Sequence, residues 1–221
     1  MVKDRCLEVC CGDLPSVRAA KEGGAHRIEL CQALDVDGLT PSEDMMKSAI
    51  EMGLPIQVLI RPREGNFVYD KKEQAEMQRE IRFARKLGVN GVVIGALKSD
   101  GSIDGETVRS LVEEAEGLSI TFHRAFDVCT EPLKALEQII ALGCHRLLSS
   151  GQAPTAEQGI PLLKELVERA GERLIIMPGA GVNAQNARRI LSETGAHEIH
   201  GSLRKGNHTD ASIVQAVVRT L

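Results

Sequence analysis

Two short stretches, L-E-V-C at 7–10 and R-I-E-L-C at 27–31, each set a carboxylate two residues before a cysteine. In a β-strand residues two apart share a face. Glu8 then lies with Cys10, and Arg27 and Glu29 with Cys31. The intervening Leu7, Val9, Ile28 and Leu30 suit an apolar layer against helices, so Glu8 and Glu29 are expected to point inward. A carboxylate so held can serve as a general base. Thiolates on neighbouring strands are soft ligands that favour Cu(I) over harder ions. Cys31, with Cys10 as its partner, is the expected metal pair. Gln57, Leu59 and Arg61 also share a parity, which is expected to bring a guanidinium near the two carboxylates.

The stretch I-T-F-H-R-A-F-D at 120–127 begins as a buried strand and ends in ionisable groups. An apolar strand that delivers charges at its C-terminal end holds chemistry on a rigid element. His123 suits an acid or electrophile, and Arg61 and Arg124 suit clamps on developing charge. Gly179-Ala180-Gly181, ahead of a helix, together with Gly201-Ser202, is expected to seat a phosphate or other anion on backbone N–H groups. C-x-x-C, H-E-x-x-H, G-x-S-x-G and P-loop motifs are absent; HEIH at 197–200 lacks the metalloprotease spacing. GAGVNA matches a dinucleotide-binding pattern formally, but about 40 residues follow it, too few to complete such a domain.

The elements that must position these groups alternate along the whole chain. Strands are expected at 5–10, 26–30, 56–60, 91–94, 118–122, 146–149, 174–177 and 196–200. Helices are expected at 14–22, 42–52, 71–87, 105–116, 131–142, 156–169, 184–193 and 211–219. A weak repeat, helix end, glycine, polar residue, strand, recurs in EGGAHRIEL, KLGVNGVVIG, ALGCHRLLSS and ETGAHEIHGS, where glycine fits a helix C-cap. Eight strand–helix units without a linker predict an α/β fold, a (β/α)8 TIM barrel formed by residues 1–221 as a single domain. Its functional face is the C-terminal end of the strands. Glu8, Cys10, Glu29, Cys31, Arg61, Arg63, His123, Arg124, Asp127, Ser149, Ser150 and His200 all fall at that end.

Composition narrows the function classes. The 221 residues are 43% hydrophobic and 26% charged, with net charge -4, no Trp and one Tyr. Neither a basic footprint nor stacking platforms for nucleic acid are present. No apolar run approaches a membrane span, and the charged N-terminus does not resemble a signal peptide. A cytoplasmic location follows. Six cysteines, at 6, 10, 11, 31, 129 and 144, are too sparse for a disulfide framework and are expected as thiols.

In this order, LEVC, GGAHRIELC, GLTPS, IRPREGNFVY, GVVIGAL, TFHRAFD, MPGAGV and EIHGS resemble the CutC copper-homeostasis family, from Leu7 to about Arg204. The resemblance implies a cytoplasmic TIM barrel that takes part in copper homeostasis, binds copper and forms a homo-oligomer. Its shared polar residues map to Glu8, Glu29, Arg61, His123 and Arg124, with Cys31 after the second-strand Glu. The QALDVDGLT segment after Cys31 departs from the Ser/Gly-rich stretch common there. Two functions stand open: binding of copper as Cu(I), and an enzyme acting on a small anionic or phosphorylated metabolite. In the second, Glu8 or Glu29 is the base, and the 179–181 loop the anion seat.

Overall fold

The computed structural model describes residues 5–221. Eight strands alternate with eight helices: β1 (Cys6–Cys11), α1 (Leu14–Glu22), β2 (Arg27–Leu30), α2 (Glu43–Ile50), β3 (Ile56–Leu59), α3 (Lys71–Leu87), β4 (Gly91–Ile94), α4 (Gly105–Glu114), β5 (Ser119–Phe122), α5 (Pro132–Ala141), β6 (Arg146–Ser149), α6 (Ile160–Ala170), β7 (Ile175–Pro178), α7 (Ala187–Thr194), β8 (Glu198–Gly201) and α8 (Ala211–Val218). Asp13, Ser42, Asp104 and Asp210 cap their helices, and Asp70 forms a reciprocal capping box with Glu73, satisfying N–H groups that a helix start leaves orphaned. All ladders between β1 and β8 are parallel, in the order β7-β6-β5-β4-β3-β2-β1-β8, and β7 lies beside β8 to close the ring. This is a (β/α)8 TIM barrel. Leu7, Val9, Ile28, Leu30, Val58, Ile94 and Phe122 face the helices and are buried with α-helical Val17, Ile81, Leu111 and Leu136.

Unlike the apolar layers that fill most such barrels, this interior is charged. Arg27 Nε donates to Glu8 Oε2 at 2.5 Å, and its Nη2 reaches Glu198 on β8. Arg146 on β6 donates to the same Glu198 oxygen at 2.8 Å and to Ser119 Oγ at 2.5 Å. The network therefore ties β6, β8, β2 and β1 together across the seam where β7 and β8 share no ladder. Arg27, on the same strand face as Glu29 and Cys31, is 7% exposed, and Glu198 6%.

Two further departures concern the mouth. A short hairpin, β9 (Arg204–Lys205) with β10 (His208–Thr209), follows β8 and docks on α1 through His208 Nδ1 to Asp13 at 2.8 Å and Thr209 N–H to Ser16 Oγ at 3.1 Å. α7 begins at Ala187 and not at 184, because Asn183 and Asn186 tie residues 183–186 into a separate turn.

Removing the Arg27 guanidinium would leave Glu8 with His200 alone and Glu198 with Arg146 alone, each a buried carboxylate short of one partner. Arg27→Leu is expected to lower the unfolding free energy by about 3–5 kcal/mol. Urea unfolding checks it against Arg169→Ala, which breaks an exposed helix pair with Glu165 and should leave stability nearly unchanged.

Candidate functional site

At the C-terminal end of the strands lies a cavity of about 380 Å³, whose lining includes Cys10, Glu29, Arg61, His123, Arg124 and His200. Its floor grows out of the charged interior. Glu8 lies one layer below the cavity, fully buried, and accepts from Arg27 beneath it and from His200 Nδ1 above, at 2.8 Å. Burial alone would raise its pKa, but the His200 bond and the Arg27 charge outweigh it and hold the carboxyl at about 2. Burial lowers the His200 pKa, but its bonds to Cys10 and Glu8 and the charges of Glu29 and Glu8 outweigh that and raise it well above an ordinary histidine. Glu29 Oε2 sits 3.8 Å from His200 Nδ1 and has no hydrogen-bond partner; burial pushes this carboxyl up to about 7.

Cys10 and Cys31 bring their sulfur atoms to 3.6 Å. All six cysteines are free. Contact with Cys31 and burial raise the Cys10 thiol well above its usual range. One ligand atom from each of Cys10, Glu29 and His200 lies within 4.8 Å of the others, a set with the spacing to hold a metal ion. Cys31 lies behind Cys10, covered by the loop from 32 to 39; a Cβ on Gly38 would stand 2.9 Å from Leu59 Cδ2 and 3.5 Å from Cys31 Sγ.

Arg61 departs from expectation. Its guanidinium does not pair with Glu8 or Glu29 but donates to the carbonyls of Val36 at 2.8 Å, Gly38 at 2.9 Å and Gly65 at 3.2 Å, clamping two mouth loops. Its Nε remains unpartnered. The guanidinium lies over the Phe67 ring at 5.1 Å, and His123 packs on the same ring at 5.0 Å. His123 also lies flat on Gly95, where a Cβ would come within 2.5 Å of its ring. Burial and the Arg61 charge lower its pKa to about 3.

Asp127 is a loop anchor. It accepts from Ser149 Oγ at 2.6 Å and from the Ser150 N–H, and pairs with Arg124 Nε at 2.8 Å. Arg63, also at the mouth, instead binds Glu73 at 2.5 Å and shapes its own loop. Among the expected anion-binding residues, Ala180, Gly181, Gly201 and Ser202 line the cavity, while Gly179 lies below, against Leu148 and His200. Ala180 holds φ of +88°, a strained backbone for a residue with a Cβ. The turn at 183–186 separates this loop from the start of α7, so no helix N-terminus directly abuts it. His200, absent from the expected ligands and acids, is the residue that sequence reading underrated; its place at the end of β8, on the inward parity of Glu198, was the available signal.

A model of the CutC family matches residues 5–205. The chain belongs to the CutC family. CutC-family proteins of Pasteurella multocida and Bacteroides fragilis are 47% and 49% identical to it, over 88% and 92% of this chain and 80% and 82% of theirs. The crystal structure of a CutC protein from Streptococcus agalactiae, provisionally described as a copper homeostasis protein, superposes with a TM-score of 0.85 at 37% identity, covering 90% of this chain and 98% of that one. A phosphoribosylanthranilate isomerase of Pyrococcus furiosus, 13% identical over 98% of both chains with a TM-score of 0.63, shares the barrel fold. No helix among the described residues is long and apolar enough to cross a membrane.

His123 supplies a pH test. Between its ordinary value of 6.5 and about 3 the folded state binds fewer protons than the unfolded one, so this histidine makes stability fall as pH drops through that window. Glu29, raised from 4.5 to about 7, acts in the opposite direction between those values, so the readout is a difference between proteins. His123→Gln is expected to flatten the acid-side decline in unfolding free energy between pH 6.5 and 3; a decline unchanged from wild type contradicts the neutral, buried imidazole.

Proposed function

We propose that this CutC-family chain takes part in copper homeostasis in the cytoplasm, binding Cu(I) between Cys10 and Cys31. The observation that carries this reading is the pair of free thiols 3.6 Å apart, one of them on the wall of the mouth cavity. Soft sulfur ligands select Cu(I), and His200, close to Cys10, becomes a third donor once the metal displaces a ring proton. Metal binding would displace the thiol protons. In an anaerobic competition titration against a strong Cu(I) chelator, stoichiometric binding is expected in the wild type and lost in both Cys10→Ser and Cys31→Ser. Affinity indifferent to either change contradicts the assignment.

A second reading has its own support. Six buried side-chain polar atoms among the described residues lack a partner, and three of them, Glu29 Oε2, Arg61 Nε and His123 Nε2, belong to residues lining the one cavity. Buried polar groups are ordinarily satisfied, so unpaired ones gathered in a pocket favour a ligand that completes them. The reading is an enzyme site for a small anionic or phosphorylated metabolite, with Ala180, Gly181, Gly201 and Ser202 as anion seat. Such a ligand raises the melting temperature because it binds the native state alone. A panel of phosphorylated and carboxylated metabolites is expected to contain at least one that does so; a panel that leaves the melting temperature unmoved counts against this reading.

A further inference from the structure

The reading of the mouth as a metabolite site, on which this inference rests, leaves the reaction unnamed, and the unpaired atoms narrow it. His123 Nδ1 accepts the Ala125 backbone N–H at 3.1 Å, so the ring proton of the neutral imidazole resides on Nε2. That Nε2–H has no acceptor among the described residues. Both terminal nitrogens of Arg61 donate to loop carbonyls, while its Nε–H has no partner among the described residues. Phe67 packs against both side chains, and a neutral donor and a cationic donor line the same cavity. The third unpaired atom, Glu29 Oε2, is an acceptor on the same cavity, carried by a rigid strand.

A cavity built only to hold an anion has no use for an unpaired carboxylate. Two N–H donors for one oxygen and a carboxylate for an adjacent hydrogen are what enolisation of a carbonyl compound requires. A neutral imidazole is the fitting partner, since it polarises a carbonyl and keeps its proton. We propose that the cavity enolises a small α-hydroxy carbonyl compound bearing an anionic group, with Arg61 and His123 holding the carbonyl oxygen and Glu29 taking the proton from the neighbouring carbon. The C–H bond breaks toward Glu29 Oε2, its electron pair forms the C=C bond of the enediolate, and the carbonyl π pair moves to the oxygen held by the two N–H groups. Return of the proton to the same carbon gives isotope exchange with solvent. Return to the former carbonyl carbon, with the hydroxyl proton passing to the other oxygen, shifts the carbonyl by one position. Nothing is oxidised or reduced overall, and no co-reactant is needed. The anionic group falls to the rim, where Gly181, Ser202 and Arg204 line the same cavity.

The test uses the full chain in D2O with dihydroxyacetone phosphate and hydroxypyruvate, following deuterium at the carbon bearing the hydroxyl by NMR. In parallel, the melting temperature is read with 2-phosphoglycolohydroxamate, a planar enediolate mimic. Exchange clearly above buffer with at least one compound is expected, falling by about 10²-fold or more in Glu29→Gln and also reduced in His123→Gln, with the hydroxamate shift retained in Glu29→Gln. A hydroxamate shift without exchange of either compound overturns enolisation and leaves the metabolite site standing. Neither shift nor exchange removes both. Exchange that persists in Glu29→Gln overturns the assignment of the base.

Discussion

Glu8 is the constraint around which the rest is arranged. A carboxylate with no solvent contact, in the middle of a barrel, is tolerable only if both its oxygens are answered. One is answered by Arg27 below and the other by His200 above. Arg27 must in turn be balanced, and Glu198 does so while engaging Arg146. The polar column that results joins strands on either side of the unladdered seam between β7 and β8. At its upper end the column delivers a proton-rich His200 to the floor of the mouth, next to Cys10 and Glu29.

The mouth itself is assembled by side chains that bind loops. Arg61 draws together the loops after β2 and β3, and Asp127 those after β5 and β6. Each of these residues does two things, fixing backbone and presenting a remaining atom or face to the cavity. This division leaves two distinct chemical sectors in one pocket. One is soft, the thiol pair with His200; the other is hard, Arg61 and His123 on Phe67. The proposed copper site draws on the first and the proposed carbonyl chemistry on the second, and Glu29 lies where they meet.

The barrel was legible because eight apolar runs alternate with amphipathic stretches and each strand needs only four to six residues to declare itself. Strand parity also carried Glu8, Glu29, Cys10 and Cys31 to the interior side. Parity grouped Arg27 with Glu29 as well, yet its partners Glu198 and Arg146 come from strands far along the chain, and a single-strand pattern carries no information about who sits across a barrel. The same limit explains Arg61. Its inward parity was readable, but the loop carbonyls that capture its guanidinium depend on how the segment 32–39 folds back, with Ala33 and Asp37 in left-handed conformations that composition does not announce. The two-residue strands of the β9–β10 hairpin are too short to show a period, and the turn before α7 is set by asparagine side chains binding backbone locally.

The account stands on one interior holding two cavity histidines in opposite states, His200 protonated beside Cys10, Glu8 and Glu29 and His123 neutral with its proton on Nε2. A long-range 1H–15N correlation spectrum of the histidine rings, assigned with His200→Gln and His123→Gln and followed from pH 8 to 5, reads both directly. The expected result is an imidazolium at His200 throughout and an unprotonated Nδ1 at His123 throughout. Two rings that titrate together near the ordinary value of 6.5 would contradict the account, because neither the Glu8 contact nor the Arg61 and Phe67 wall would then be setting the chemistry of the mouth.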